Sequence, residues 1–201
     1  MVNDNKKDII TVSFSGLDNP IGPVIGVLLR VDKDFFRRWS FLNLKRPEKH
    51  TAQELEKNVT LTQKHLSDTN IAKITATQLN NNDKIELVMN ALVSLLNSQQ
   101  QFWNHRIFID SPLDIEIDQF KENVIEHLPH NMKEQGFDSK KLNMDKWLIM
   151  KGCTKKPCML AGCYAQHILN MALQDIKSVW GDFNNKEEFI KTNPQCPYIR
   201  K

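Results

Sequence analysis

Ile9-Ile10-Thr11-Val12-Ser13-Phe14-Ser15-Gly16-Leu17-Asp18, followed six residues later by Val24-Ile25-Gly26-Val27-Leu28-Leu29-Arg30-Val31, is the stretch whose reading decides the fold. Ile10, Val12 and Phe14 alternate with polar residues, the signature of a half-buried strand. Val24 to Val31 is a second, more apolar strand, and the short Gly- and Asp-containing connection between them suits antiparallel pairing. Arg38 to Leu44, with Trp39, Phe41 and, after a slip, Leu44, predicts a third strand completing a meander. Asp18 stands where the first apolar run hands over to a turn.

Further along, Thr51 followed three residues on by Glu54 is a capping box, and Leu55 and Val59 continue the helix it opens. Ile71 to Thr77 alternates as a fourth strand. Asn80-Asn81-Asn82 is a loop, and Asp83 starts a helix with Ile85, Val88, Met89, Leu92, Leu95 and Leu96 on one face. Arg106 to Ile109 reads as a strand ending at Asp110. Asp114 to Leu128 reads as helical, and Lys146 to Met150 as another strand. Pro157 opens a long helix reaching about Val179, since proline suits a first turn. Beyond Gly181 a short helix over Lys186–Lys191 and an extended tail are expected.

The chain has 201 residues, enough for one substantial core and cramped for two. Its 27 basic and 24 acidic residues leave a formal charge of +3, which permits a phosphate-facing surface without demanding one. No run approaches the roughly 18 apolar residues of a membrane span. Met1 to Asp8 is polar and mixed in charge, without the apolar region of a signal peptide, so the cytoplasm, or the nucleus of a eukaryote, is the expected compartment. No Gly-rich phosphate loop supports nucleotide hydrolysis or dinucleotide binding.

Hydrolysis of a phosphodiester by two metals needs hard oxygen ligands around two Mg²⁺ or Mn²⁺ ions about 4 Å apart. A fold gathers such ligands by ending adjacent strands with Asp. Asp18 and Asp110 both sit at strand ends, although Asp is also frequent there simply as a turn residue.

Four strings carry a resemblance: Gly16-Leu17-Asp18-Asn19 leading into Gly22-Pro23-Val24-Ile25-Gly26; Ile107-Phe108-Ile109-Asp110-Ser111-Pro112; Lys151-Gly152-Cys153 ahead of Pro157; and Pro194 to Lys201. In this order they resemble the ribonuclease HII family, whose members cut RNA in RNA/DNA hybrids with a ring of acidic metal ligands. The resemblance implies an α/β, ribonuclease H-like fold. A mixed central sheet, three antiparallel strands and then parallel ones, would be flanked by helices in a single domain over 1–201, with an extension from about 181. It implies that Asp18 and Asp110 are neighbours holding Mg²⁺ or Mn²⁺, and that Gly22 and Pro23 belong to a substrate-gripping loop.

Two family carboxylates are replaced. Asn19 stands where the family has Glu, and Cys153 where it has Asp; the family's loop arginine has no counterpart. Asn19 can offer a metal only a neutral carbonyl oxygen, and Cys153 is a soft ligand poorly matched to Mg²⁺. Asp138, Asp145 and Asp175 are the other acids that could approach the site. The family's junction-reading tyrosine has no clean match in Trp180-Gly181-Asp182-Phe183-Asn184. Lys45 and Arg46 precede the first long helix where the family carries Ser-Lys-Lys, and Lys151, Lys155 and Lys156 add charge near the site. RNA/DNA hybrid or structured RNA is the implied partner.

Phe35-Phe36-Arg37-Arg38-Trp39 interleaves aromatics and arginines, as single-strand binding surfaces do, or is simply a strand with arginines on its wet face. Cys153, Cys158 and Cys163 recur every five residues; on a helix that spacing points neighbours about 140° apart, against a shared metal. His127, His130 and His167 read as ordinary surface or packing residues. The function that follows is a divergent ribonuclease HII-like protein binding hybrid, whose eroded acidic site would, if active, cut the RNA strand with Asp18 and Asp110 holding the metal. The alternative is an inactive relative serving as a nucleic-acid-binding or protein-assembly subunit.

Overall fold

The computed structural model describes residues 8–200 other than 33, 41, 43, 67 and 75–82. Five strands, β1 (Asp8–Ser15), β2 (Val24–Asp32), β3 (Asp68–Ile74), β4 (Ile107–Ser111) and β5 (Leu148–Lys151), form one sheet in the order β3-β2-β1-β4-β5. β2 runs antiparallel to both β1 and β3, whereas β4 is parallel to β1 and to β5. The mixed α/β sheet expected from sequence is present.

Three sequence expectations need correction. Among the described residues from Arg38 to Leu44 none is in a strand: Phe35–Arg38 forms a short helix, α1, and the third antiparallel strand is β3. Phe35 and Trp39 lie four residues apart, the helical spacing, and stack with ring centroids 5.9 Å apart; Phe35 is wholly buried. Phe41 lies outside the described residues. β3 begins at Asp68 rather than Ile71, and the expected continuation over 75–77, like the Asn80-Asn81-Asn82 loop, also falls outside them. The third correction concerns β1, which is buried on both faces. Thr11 and Ser13, the polar half of its alternation, are 0% and 4% exposed. They do not face water but meet a helix, and their small size lets it come close.

That helix is α6 (Lys156–Trp180), with Pro157 in its first turn as expected. Leu160, Ala161, Tyr164 and Leu169 pack against Ile25, Val27, Leu29 and Val31 of β2. Thr11 Oγ1 donates to Cys158 Sγ over 3.5 Å. Beside α6 lies α2 (Ala52–Gln63), opened by the Thr51–Glu54 capping box and tied to α6 by a 2.9 Å hydrogen bond between the Thr62 and Tyr164 hydroxyls. The opposite face of the sheet is covered by α3 (Lys84–Asn97), whose Val88, Leu92 and Leu96 meet Ile10, Val12 and Leu28. Behind it, α4 (Ile117–Glu126) and α5 (Leu128–Glu134) extend the same cluster through Phe120, Val124 and Met132. The helix expected over 114–128 is thus α4, starting at Ile117 and ending at Glu126, and a second helix, α5, follows from Leu128.

After α6, the short helix α7 (Lys186–Thr192) packs Phe189 with Ile21, Ile176 and Cys196. The tail then returns to the loop after β1. The amide of Gly22 donates to the Tyr198 carbonyl over 2.8 Å, that of Arg200 to the Pro20 carbonyl over 2.8 Å, and Ile21 pairs with Ile199.

Candidate functional site

At the ends of β1 and β4 a cavity of about 340 Å³ opens, and six of its lining side chains carry chemistry: Asp18, Arg46, Glu48, Asp110, Asp114 and Cys153. Parallel pairing of β1 with β4 makes their C-terminal ends adjacent, which brings Asp18 and Asp110 to one cavity. Cys153 arrives from the turn after β5, and Arg46 and Glu48 from the segment entering the 3₁₀ turn Pro47–Lys49.

Asp18 sits exposed on a turn begun by Gly16, whose φ of +97° favours glycine; a Cβ there would stand 2.5 Å from the Pro23 carbonyl oxygen. From below, the Arg200 guanidinium donates to the Gly16 carbonyl. Arg200 is 9% exposed, and its Nε has no hydrogen-bond partner. Burial pushes this guanidinium below its usual range, while the charge of Asp18 holds it up.

Asp110 is more deeply set. Its Oδ1 accepts a 2.8 Å hydrogen bond from the Cys153 amide, and the neighbouring Gly152 amide also favours the charged form of the carboxylate. Burial pushes its pKa up to about 6; the amides of Cys153 and Gly152 and the charge of Arg46 resist, and Glu48 adds a repulsive charge. Arg46 Nη2 donates to the Gly152 carbonyl over 3.3 Å. Gly152 has a φ of +60°, and a Cβ on it would stand 2.8 Å from that same Nη2, so glycine lets the guanidinium lie against the turn.

Cys153 and Cys158 meet despite their five-residue spacing, because Cys153 precedes the first turn of α6 rather than lying on it. Their hydrogen bond holds the Cys153 thiol below its ordinary range and pushes the buried Cys158 thiol up. All four cysteines are free thiols.

The other expected residues are distributed as follows. Asn19 does not line the cavity; its Oδ1 accepts from the Ile21 amide over 3.3 Å and closes its own turn. Gly22 and Pro23 are buried under the tail and α6 rather than presented to the cavity. Lys45 Nζ lies 3.7 Å from Glu54, and Lys151 Nζ 3.7 Å from Glu116. Lys155 Nζ stands 4.5 Å above the Phe108 ring, which Arg106 also covers, at 5.3 Å. Lys156 is exposed at the start of α6. Asp138, Asp145 and Asp175 do not line the cavity. Trp180 and Phe183 pack into the cluster around Phe189. Glu48 and Asp114 are the carboxylates that sequence reading missed. Neither sits in a periodic element, and the nearest signal for Glu48 is its position beside Arg46 and Pro47.

Mg²⁺ or Mn²⁺ would need several hard oxygens converging on one point. Asp110 already has an oxygen engaged by a backbone amide, Asn19 has turned its oxygen inward, and Cys153 offers soft sulfur. Among the described residues no three of Asp, Glu, His or Cys come together in a group that could hold a metal. The donor set does not fit a two-metal centre.

No protein-family model matches the chain, and no curated protein matches it in sequence. Solved structures do match its path. The ribonuclease H2 of Pyrococcus horikoshii OT3 superposes with a TM-score of 0.65 at 17% identity, covering 96% of this chain and 92% of that one. The RNase HII of Archaeoglobus fulgidus, solved in a complex with PCNA, gives 0.65 at 15% identity, covering 96% and 93%. Bst-RNase HIII in complex with Mn²⁺ gives 0.63 at 11% identity over 88% of this chain and 56% of that one. A mutant of the same protein is spanned over 62% of its length. The chain therefore has the ribonuclease HII/HIII type of fold, in a strongly divergent sequence.

Proposed function

We propose that this chain, with its ribonuclease HII type of fold, binds RNA/DNA hybrid or another structured nucleic acid at the rim of the cavity and does not cut it efficiently. The observation that carries the reading is the state of Asp110. One oxygen of this β4 carboxylate is engaged by the Cys153 amide, and among the described residues no three acids, His or Cys converge as a metal-assisted cut requires. The same turn carries Lys155 and is flanked by Lys151 at the end of β5 and Lys156 at the start of α6, and Arg46 lies against it. A rim of this kind contacts phosphates, which position a duplex without reading its sequence. Lys155, its ammonium at the Phe108 ring, and Lys156 are both exposed for that purpose, whereas Lys151 has Glu116 3.7 Å away.

The test measures binding and cleavage of one labelled RNA/DNA hybrid by the unmodified chain, with Mg²⁺, with Mn²⁺ and with chelator. Expected are binding tighter than the about 100 μM of non-specific contact at physiological salt and no appreciable strand cleavage. Metal-dependent cutting abolished by Asp18→Ala refutes the non-hydrolytic half. Affinity at the non-specific level, unchanged in Lys155→Ala/Lys156→Ala, refutes the binding half. That outcome leaves the assembly reading, in which the fold serves as a protein-binding subunit; the Archaeoglobus fulgidus structure, a complex with PCNA, shows one protein of this fold with a protein partner.

A further inference from the structure

A strand turns alternate side chains to opposite faces of its sheet, and in β4 and β5 the two faces are covered unequally. Ile107, Ile109, Trp147 and Ile149 point into the core beneath α3, α4 and α5. Phe108, Leu148 and Met150 turn to the other face, the one on which Thr11 meets α6. There α6 lies across β1 and β2, and only its beginning reaches β4. Phe108, Leu148 and Met150 are left half-buried, and they join none of the core clusters of the described residues. We propose that this open sheet face binds an unpaired nucleic-acid strand, its bases on Phe108, Leu148 and Met150 and its phosphates on Arg106 and Lys155.

Charge, apolar surface and position select that occupant. Arg106 Cζ and Lys155 Nζ stand 5.3 Å and 4.5 Å from the centroid of one ring. Two like charges sharing a ring repel, so each gains by swinging onto an anion. Among the described residues neither has a carboxylate within ion-pair distance, and neither does the exposed Lys156. A phosphate backbone complements that set. Phosphates alone would make no use of Phe108, Leu148 and Met150, whereas every base has a flat face that stacks on an aromatic ring. In a duplex those faces are already stacked on one another, so the fitting strand is unpaired. Phe108 and Asp110 are alternate residues of β4, about 7 Å apart along the strand, and Leu148 and Met150 stand opposite them on β5. Asp110 lines the cavity, so the open face runs directly into it. A strand leaving a hybrid held at the cavity rim would cross Phe108 next.

The proposal rests on the hybrid-binding reading only for where such a strand comes from, and its test begins without hybrid. A fluorescent oligomer of about ten deoxythymidines, within the span of single-strand sites, is titrated with the protein and followed by anisotropy. The unmodified chain is expected to bind it at least about tenfold more tightly than an abasic oligomer of the same charge. Phe108→Leu, which keeps an apolar side chain, is expected to lose that margin, and Phe108→Trp to keep it. Arg106→Gln should weaken both oligomers and shallow the slope of log affinity against log salt by roughly 0.7. A hybrid carrying the same strand as an overhang should bind at least about tenfold more tightly than a blunt one, a gain that Phe108→Leu removes. Equal binding of the thymidine and abasic oligomers by the unmodified chain overturns the proposal. So does a margin that survives in a folded Phe108→Leu, or an unchanged salt slope in Arg106→Gln, whose exposed side chain can be altered without touching the core. An acidic peptide of alternating Glu and Leu that binds this face more tightly than the oligomer assigns it to a protein partner and overturns the proposal too. Failure of the oligomer leaves hybrid binding at the rim standing, and a blunt hybrid that does not bind while the oligomer does defeats only the rim.

Discussion

Replacing Asp110 with Asn isolates the cost of ionising a carboxyl that the fold has partly buried. The native pKa is raised from about 3.8 to about 6, chiefly by burial. For a raised acid the folded state holds the proton more tightly than the unfolded one, so stability from this group is complete below about pH 4 and falls as pH climbs to about 6. At about 1.4 kcal/mol per pH unit the full penalty is near 3 kcal/mol, and discounting for the solvent that still reaches a half-buried group leaves about 1–3 kcal/mol. Asparagine keeps an oxygen for the Cys153 amide and cannot ionise. Urea unfolding of both proteins at pH 4.5 and pH 8, at equal slope, gives the stability difference at each pH, and contributions from other titrating groups cancel. Because the unfolded carboxyl is already mostly ionised at pH 4.5, the variant should gain about 1–2 kcal/mol relative to its parent between the two pH values. A pH-independent difference refutes the account. A difference of opposite sign refutes it more pointedly, since the positive charge of Arg46 would then outweigh burial.

Asn19→Glu combined with Cys153→Asp should produce Mn²⁺-dependent cleavage of a labelled hybrid where the parent shows none; equal, negligible cutting by both would mean that more than ligand identity separates this chain from an active nuclease. Removing Lys155 and Lys156 together should shallow the slope of log affinity against log salt by roughly 0.7–0.9 for every phosphate the lysines had neutralised, measured by anisotropy at several salt concentrations; an unchanged slope places the phosphates elsewhere. Gly16→Ala should cost about 2–4 kcal/mol, because it adds a left-handed backbone penalty to a Cβ set against the Pro23 carbonyl, which cannot swing aside. A loss below about 1 kcal/mol on chemical denaturation would show that the loop relaxes.

What the sequence made legible was whatever repeats over a few residues. The face of α3, the Pro157 start of α6, the Thr51 cap and the apolar runs of β1, β2 and β4 follow from local pattern and agree with the fold. Arg38 to Leu44 misleads because aromatics suit strands and helices alike, and the decisive fact is the Phe35–Trp39 stack, a contact and not a composition. β1 misleads differently: its polar residues are covered by a helix from more than 140 positions away. The site is readable where it rests on strand ends, which put Asp18 and Asp110 on one cavity. Glu48, the Gly152 turn and the buried Arg200 depend on pairings across most of the chain, and no spacing rule reaches so far.

The clasp between Arg200 and Gly16 joins residues 184 positions apart. Contacts of such separation form late, because the intervening chain must first be ordered. The turn bearing Asp18 is therefore clasped by a residue from the far side of the sequence, and the acidic loop takes its final form only once β1, α6 and the returning segment have come together. Damage at Arg200 would be felt first at Asp18, a loop that lies next to it in space and nowhere near it along the polypeptide.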